Sequence, residues 1–135
     1  MLFRSRFHPH KEVHWDETYY RAVAKRAHQV VPMMYDTSLR FPMVYRRLMA
    51  AWTREVLSWS AGAEVLLGLP AYEDRGVGYH LPDVENLEHG LAGVHRGLAD
   101  LERLPPSYQG VAIYSEWEMT PAKWRVLRER FLKRR

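Results

Sequence analysis

Three short stretches of the chain are apolar without alternation. They are Val30-Val31-Pro32-Met33-Met34-Tyr35-Asp36, Glu64-Val65-Leu66-Leu67-Gly68-Leu69-Pro70-Ala71-Tyr72 and Gly110-Val111-Ala112-Ile113-Tyr114-Ser115-Glu116-Trp117. An unbroken apolar run of this length reads as a strand buried on both faces. Each run closes on aromatic and acidic residues, as when the carboxyl end of a strand opens onto a site. Strands are therefore expected over residues 30–35, 64–69 and 110–114.

Between the runs the apolar period changes from continuous to helical. Asp16 is a candidate cap for a first helix, with Tyr20, Val23, Ala24 and Ala27 as its inward stripe. Pro42 fits the first turn of a second helix running to about residue 60, with Val44, Leu48, Ala51, Trp52, Val56 and Trp59 along one side and Gly62 as its stop. Asp83 is a candidate cap for a third, whose Val84, Leu87, Leu91, Val94, Leu98 and Leu101 recur at spacings of three and four. Thr120-Pro121 opens a fourth, with Trp124, Leu127 and Phe131 inward. A weaker strand is expected over residues 2–7, where Arg4 and Arg6 interrupt the apolar positions. Residues 70–82 are the longest connection, a length that in compact α/β units forms sites or moves. Strand, loop and helix thus alternate, which predicts an α/β fold with parallel strands.

Composition narrows the class. A chain of 135 residues, 47% hydrophobic and 13% aromatic, suits one globular domain over residues 1–135. The absence of cysteine excludes disulfides, cysteine-ligated zinc and thiol catalysis. No apolar run approaches the roughly 20 residues of a spanning helix, so no membrane partner is expected. Residues 1–6 carry charge with no apolar segment behind them, so no secretion signal is expected there and the location stays open. The formal charge of +4 owes most to the last helix, where Lys123, Arg125, Arg128, Arg130, Lys133, Arg134 and Arg135 face one acid, Glu129. A phosphate-binding face is one reading of this. A solvated helix face with cations near its C-terminus is the simpler one, and no nucleic-acid partner is inferred.

The chemistry sits where the strands end. Ligands of parallel α/β folds bind outside the carboxyl ends of strands, where Tyr35-Asp36, Tyr72-Glu73-Asp74 and Glu116-Trp117-Glu118 fall. Flat rings stack on the apolar face of a sugar, and carboxylates take its hydroxyl hydrogen bonds or transfer protons. Singly, Asp36 and Glu73 read as turn residues and Trp117 as loop packing; three ends of like composition favour an oligosaccharide or polysaccharide. His8, His10 and His14 lack a carboxylate at metal-ligand spacing, so no metal is expected. Gly76-Val77-Gly78 lacks the third glycine and the Lys-Ser/Thr of a phosphate loop, no Gly-x-Ser-x-Gly is present, and no cofactor is inferred.

These residues resemble the C-terminal portion, strands six to eight, of a chitinase-like family 18 glycoside hydrolase (β/α)8 barrel, of the TIM type, or an uncharacterised bacterial relative. Met33-Met34-Tyr35-Asp36 matches that family's Met-x-Tyr-Asp, and Gly68-Leu69-Pro70-Ala71-Tyr72 its Gly-x-Pro-x-Tyr. Gly110-Val111-Ala112-Ile113-Tyr114 departs from its Gly-Val-x-x-Trp, with tyrosine in the tryptophan position and Trp117 three residues on. The resemblance covers residues 28–118. It implies that Tyr35 and Asp36 contact the sugar at the cleavage point and that Tyr72, Glu73, Tyr114 and Trp117 line the cleft. Tyr35→Ala and Trp117→Ala are expected to weaken sugar binding without unfolding the chain.

The family's general acid lies in an Asp-x-x-Asp-x-Glu run that these residues do not contain, so the fragment is expected to be inactive alone. Glu73 or Glu116 is the only substitute, with Glu116 the one placed beside Asp36 and Tyr35 in a catalytic role. A full barrel needs about 250 residues. Three or four strands imply a truncated reading frame, a half-barrel that dimerises through its open edges, or a rearranged open sheet. The rival reading is a small stand-alone α/β module whose acidic-aromatic ends take another ligand and whose basic last helix takes a protein partner.

Overall fold

The computed structural model describes residues 16–132. The weak strand expected over residues 2–7 lies outside them, as do the three early histidines. The described chain is α/β: α1 (Glu17–Ala24), β1 (Gln29–Val30), α2 (Pro42–Trp59), β2 (Glu64–Pro70), α3 (Leu87–Ala99), β3 (Tyr108–Tyr114), a 3-10 turn (Glu116–Glu118) and α4 (Pro121–Arg130). The three strands form one parallel sheet in the order β1-β2-β3. β1 is regular for two residues only because Pro32 has no amide hydrogen. Its ladder nevertheless continues: Gly68 N–H donates to the Pro32 carbonyl at 2.9 Å, and Met34 N–H donates to the Gly68 carbonyl at 3.0 Å.

Sequential strand order makes both crossovers turn the same way, so the connecting helices share one face of the sheet. α1 packs on α2, α2 on α3, and α3 on α4. Val65, Leu67 and Leu69, alternate residues of β2, are fully buried against this helix layer with Met34, Trp52, Val56, Leu91 and Val94. α2 and α3 approach closely because α3 offers glycines at the crossing. A Cβ on Gly97 would stand 2.6 Å from the Ala50 carbonyl oxygen, and one on Gly93 would stand 2.7 Å from that of Arg46. By strand parity Val31, Met33, Leu66, Gly68, Gly110 and Ala112 look out from the other face. No helix among the described residues covers that face, and Val31 is 45% exposed.

Several helix details differ from expectation. α3 is capped by Asn86, whose side chain accepts from His89 N–H, and not by Asp83. Val84 N–H and Glu85 N–H both donate to the Leu81 carbonyl, which holds residues 81–85 in a turn, while Asp83 forms an exposed ion pair with Arg75 at 2.9 Å. Val44 is exposed, as are Phe41 and Met43, because the first turn of α2 projects past the helix layer. Trp124 is also exposed, since α4 meets the core through Leu127 and Phe131, four residues apart. Asp16 and Thr120 cap α1 and α4 as the sequence indicated.

Candidate functional site

The carboxyl ends of the three strands meet at one rim. Tyr35 follows β1, Tyr72 follows β2 and Tyr114 closes β3, so the parallel register brings three tyrosines together. The Tyr35 and Tyr114 rings lie parallel, with centroids 5.6 Å apart and planes at 7°. Tyr72 meets both edge-on, at 5.9 Å from Tyr35 and 5.4 Å from Tyr114. Trp117, on the 3-10 turn, meets Tyr114 edge-on at 6.0 Å. Such pairs contribute about 0.5–1.5 kcal/mol each beyond area burial. The exposures form a gradient: Trp117 is 76% exposed, Tyr114 47% and Tyr35 3%. Tyr114 and Trp117 therefore form an open ledge, and Tyr35 lies beneath Tyr114 as its support.

Asp36 stands at the base of this ledge. Its φ of 62° and that of Ser38, 59°, are left-handed, a region that costs energy for residues other than glycine, although aspartate is among those that tolerate it. The turn is held by Glu85, a fully buried carboxylate reaching across from the loop before α3. Glu85 Oε2 accepts Asp36 N–H at 2.7 Å, and Oε1 accepts Thr37 N–H at 2.9 Å together with the Thr37 hydroxyl. Ser38 N–H donates to the Tyr79 carbonyl at 2.9 Å, so the two loops are joined along their length. Tyr45, from α2, donates its hydroxyl to the Met34 carbonyl at 3.0 Å and closes the floor.

His80 completes the cluster. Its ring is buried and stacks on Tyr72, with centroids 3.9 Å apart. Nδ1 lies 3.3 Å from Glu85 Oε2 and 3.6 Å from Asp36 Oδ1, and Nε2 lies 3.1 Å from the Tyr72 carbonyl oxygen. The Tyr72 hydroxyl donates to Asp36 Oδ1. The Asp36 side chain is partly exposed, 19% against 0% for His80 and Glu85.

The electrostatics follow from burial and pairing. Burial raises the Asp36 carboxyl above its ordinary value and nearby Glu85 adds to this, while the Tyr72 hydrogen bond and His80 oppose it. Burial would lower His80, but the Glu85 and Tyr72 hydrogen bonds and the charges of Glu85 and Asp36 outweigh it and the ring is raised. The Tyr72 hydroxyl is pushed far up, first by burial and then by Asp36, and stays a proton donor.

The remaining acids do not join the cluster. Glu73 forms an ion pair with Lys123 at 2.6 Å, and its carboxyl is held below the usual range by that hydrogen bond and charge. A proton donor needs the opposite shift, so the pairing argues against Glu73 as a replacement general acid. Glu116 is exposed on the 3-10 turn. Lys123, counted with the basic last helix, is half-buried and donates to the Ala71 carbonyl at 2.7 Å and the Glu118 carbonyl at 3.1 Å. Arg130 likewise pairs with Glu88 at 2.6 Å. Part of that helix's charge therefore clasps the strand ends and α3.

Asp36, His80 and Glu85 each bring a potential metal-ligating atom within 4.8 Å of the others. Their lone pairs are already engaged, however: both Glu85 oxygens accept backbone hydrogens, and both His80 nitrogens face oxygen acceptors. A cation here would displace the bonds that hold the Asp36 turn, so the arrangement reads as a hydrogen-bonded network. A cavity of about 500 Å³ lies elsewhere between α2 and α3, where Asp100 pairs with Arg54.

Sequence reasoning did not single out Thr37, Tyr45, His80 or Glu85. Its one available signal was a histidine and a glutamate five apart inside the long 70–82 connection and its exit, flanking apolar Leu81 and Val84. Comparison with known proteins adds no further assignment: no family model, curated protein or solved structure matches the chain.

Proposed function

We propose that this chain forms part of a glycoside-hydrolase-like (β/α)8 barrel, the portion carrying its sixth to eighth strands, and that the ledge binds oligosaccharide. The observation that carries the reading is the convergence of Tyr35, Tyr72, Tyr114 and Trp117 beside the partly exposed Asp36 carboxylate. Exposed rings offer stacking surface to the apolar face of a sugar, and a partly exposed carboxylate accepts its hydroxyl. A parallel sheet with its helix layer on one face is the arrangement of a barrel segment. The reading requires that the second face be covered by further strands, from a longer chain or a second copy.

Binding without turnover is the expected behaviour of these residues. Hydrolysis needs a proton donor facing a second group across the bond. Glu85, which faces Asp36, is buried and committed to the Asp36 turn, and Glu73 is held ionised by Lys123. The test is titration with a panel of neutral oligosaccharides, followed by tryptophan fluorescence and calorimetry. Saturable binding that perturbs Trp117 supports the reading, and no binding by any member of the panel removes it.

A further inference from the structure

We propose that His80 is the positioning residue of this site: as an imidazolium it bridges Glu85 and Asp36 and fixes the partly exposed Asp36 carboxylate at the rim, so that ligand capture depends on the His80 proton. The inference rests on the sugar-binding reading for its ligand, but not for its geometry.

The argument begins with the ring's neighbours. Nε2 faces a backbone carbonyl, which only accepts, so this nitrogen carries hydrogen. Nδ1 faces carboxylate oxygens of Glu85 and Asp36, which when ionised also only accept. A neutral imidazole has one N–H and satisfies one of these sides; the imidazolium satisfies both. Among the described residues the charged groups facing the ring are Asp36, from the loop after β1, and Glu85, from the loop before α3. Tyr72, after β2, stacks on the ring, and Tyr45, from α2, is engaged by the Met34 carbonyl. The ring is thus a cation set between the two carboxylates.

Losing that proton would leave an acceptor nitrogen within 3.6 Å of two carboxylates. The least buried member, Asp36, then swings away. That removes the fixed, ionised group that a sugar hydroxyl would meet. The carboxylates and the Tyr72 carbonyl that face the ring raise its affinity for the proton, so this transition lies above the ordinary histidine value.

The experiment uses the full chain, labelled with 15N and 13C. Long-range proton–nitrogen correlation should show both His80 nitrogens protonated at neutral pH. The Asp36 carboxyl carbon, followed through an acid titration, should move its midpoint up by about 1 to 3 pH units in His80→Asn, since the variant keeps a donor but loses the charge. A packing role alone would leave that midpoint in place. Glu85→Gln, which removes a carboxylate and keeps the shape, should bring the His80 titration down, and it serves if His80→Asn does not fold. A neutral His80 ring at neutral pH, or an unmoved midpoint in both variants, overturns the proposal. If oligosaccharide binds, its affinity should fall about tenfold per pH unit above the His80 titration, and a flat profile also overturns it. If no sugar binds at any pH while the ring is doubly protonated, the ligand reading fails and the positioning role stands.

Discussion

The Glu85 carboxylate accepts the backbone N–H of Thr37 at 2.9 Å, across 48 residues of chain. With the bond to Asp36 N–H, it makes one buried side chain the cap of a left-handed turn on another strand's loop. The site is therefore one unit shared by the loops after β1 and after β2, and damage to either should be felt in both.

Glu85→Ala should destabilise the fold by about 3–5 kcal/mol, because it strands the buried His80 charge and two backbone donors. Glu85→Gln, which retains one acceptor, should cost less. Chemical denaturation monitored by circular dichroism gives both values. Equal stability of Glu85→Ala and the parent would show that the turn holds itself.

Stability should fall as pH rises from 6 to 9. His80 is raised in the folded state, so its contribution is fully present below the unfolded value near 6.5 and is lost as pH passes the higher folded value. Asp36 is also raised, mainly by burial, and works in the same direction at lower pH: the ionised form is the less comfortable one in the fold. Glu73 and Asp83 are lowered and contribute in the opposite sense on the acid side, but both are exposed and weigh little. Thermal melts between pH 6 and 9 should show a declining Tm that flattens in His80→Asn. A Tm that rises over this range would contradict the charge assignment.

Gly97→Ala should destabilise by about 1–3 kcal/mol although alanine favours helix, since its Cβ would meet the Ala50 carbonyl oxygen at 2.6 Å and Thr53 Cβ at 2.7 Å. Gly62 has open space around it but a φ of 106°, so its alanine variant tests backbone strain alone. Denaturation midpoints of the two variants separate packing from conformation.

The α/β alternation was legible because each element carries its own period: unbroken apolar runs for β2 and β3, a three-four spacing for α3, and Thr120-Pro121 for α4. The convergence of Tyr35, Tyr72 and Tyr114 was legible for the same reason, since parallel strands with similar endings must present them at one edge. Glu85 was not legible. It sits between Val84 and Asn86 in what reads as the start of a helix, and only the tertiary fold reveals that its carboxylate is spent on amides 48 and 49 residues away. Lys123 misled in the same way: counted as surface charge, it is a half-buried clasp between the end of β2 and the 3-10 turn after β3. Charged side chains that satisfy distant backbone groups leave no periodic trace.

The expectation that Tyr35→Ala and Trp117→Ala behave alike does not fit their surroundings. Trp117 is the most exposed large side chain on the ledge and touches Tyr114 by one edge. Its truncation should leave the unfolding midpoint within about 0.5 kcal/mol of the parent and weaken oligosaccharide binding about twofold to tenfold, the worth of one aromatic contact. Tyr35 is buried beneath Tyr114 and braced by Tyr72, so Tyr35→Ala should open a cavity and cost about 3–5 kcal/mol. Tyr35→Phe keeps the ring and should preserve the fold, which makes it the variant for asking whether the Tyr35 hydroxyl contributes to binding. Paired denaturation and titration curves for the three variants decide the matter. A stable Tyr35→Ala with sugar affinity lost would return Tyr35 to the cleft wall, whereas a destabilised one assigns it to the support of Tyr114.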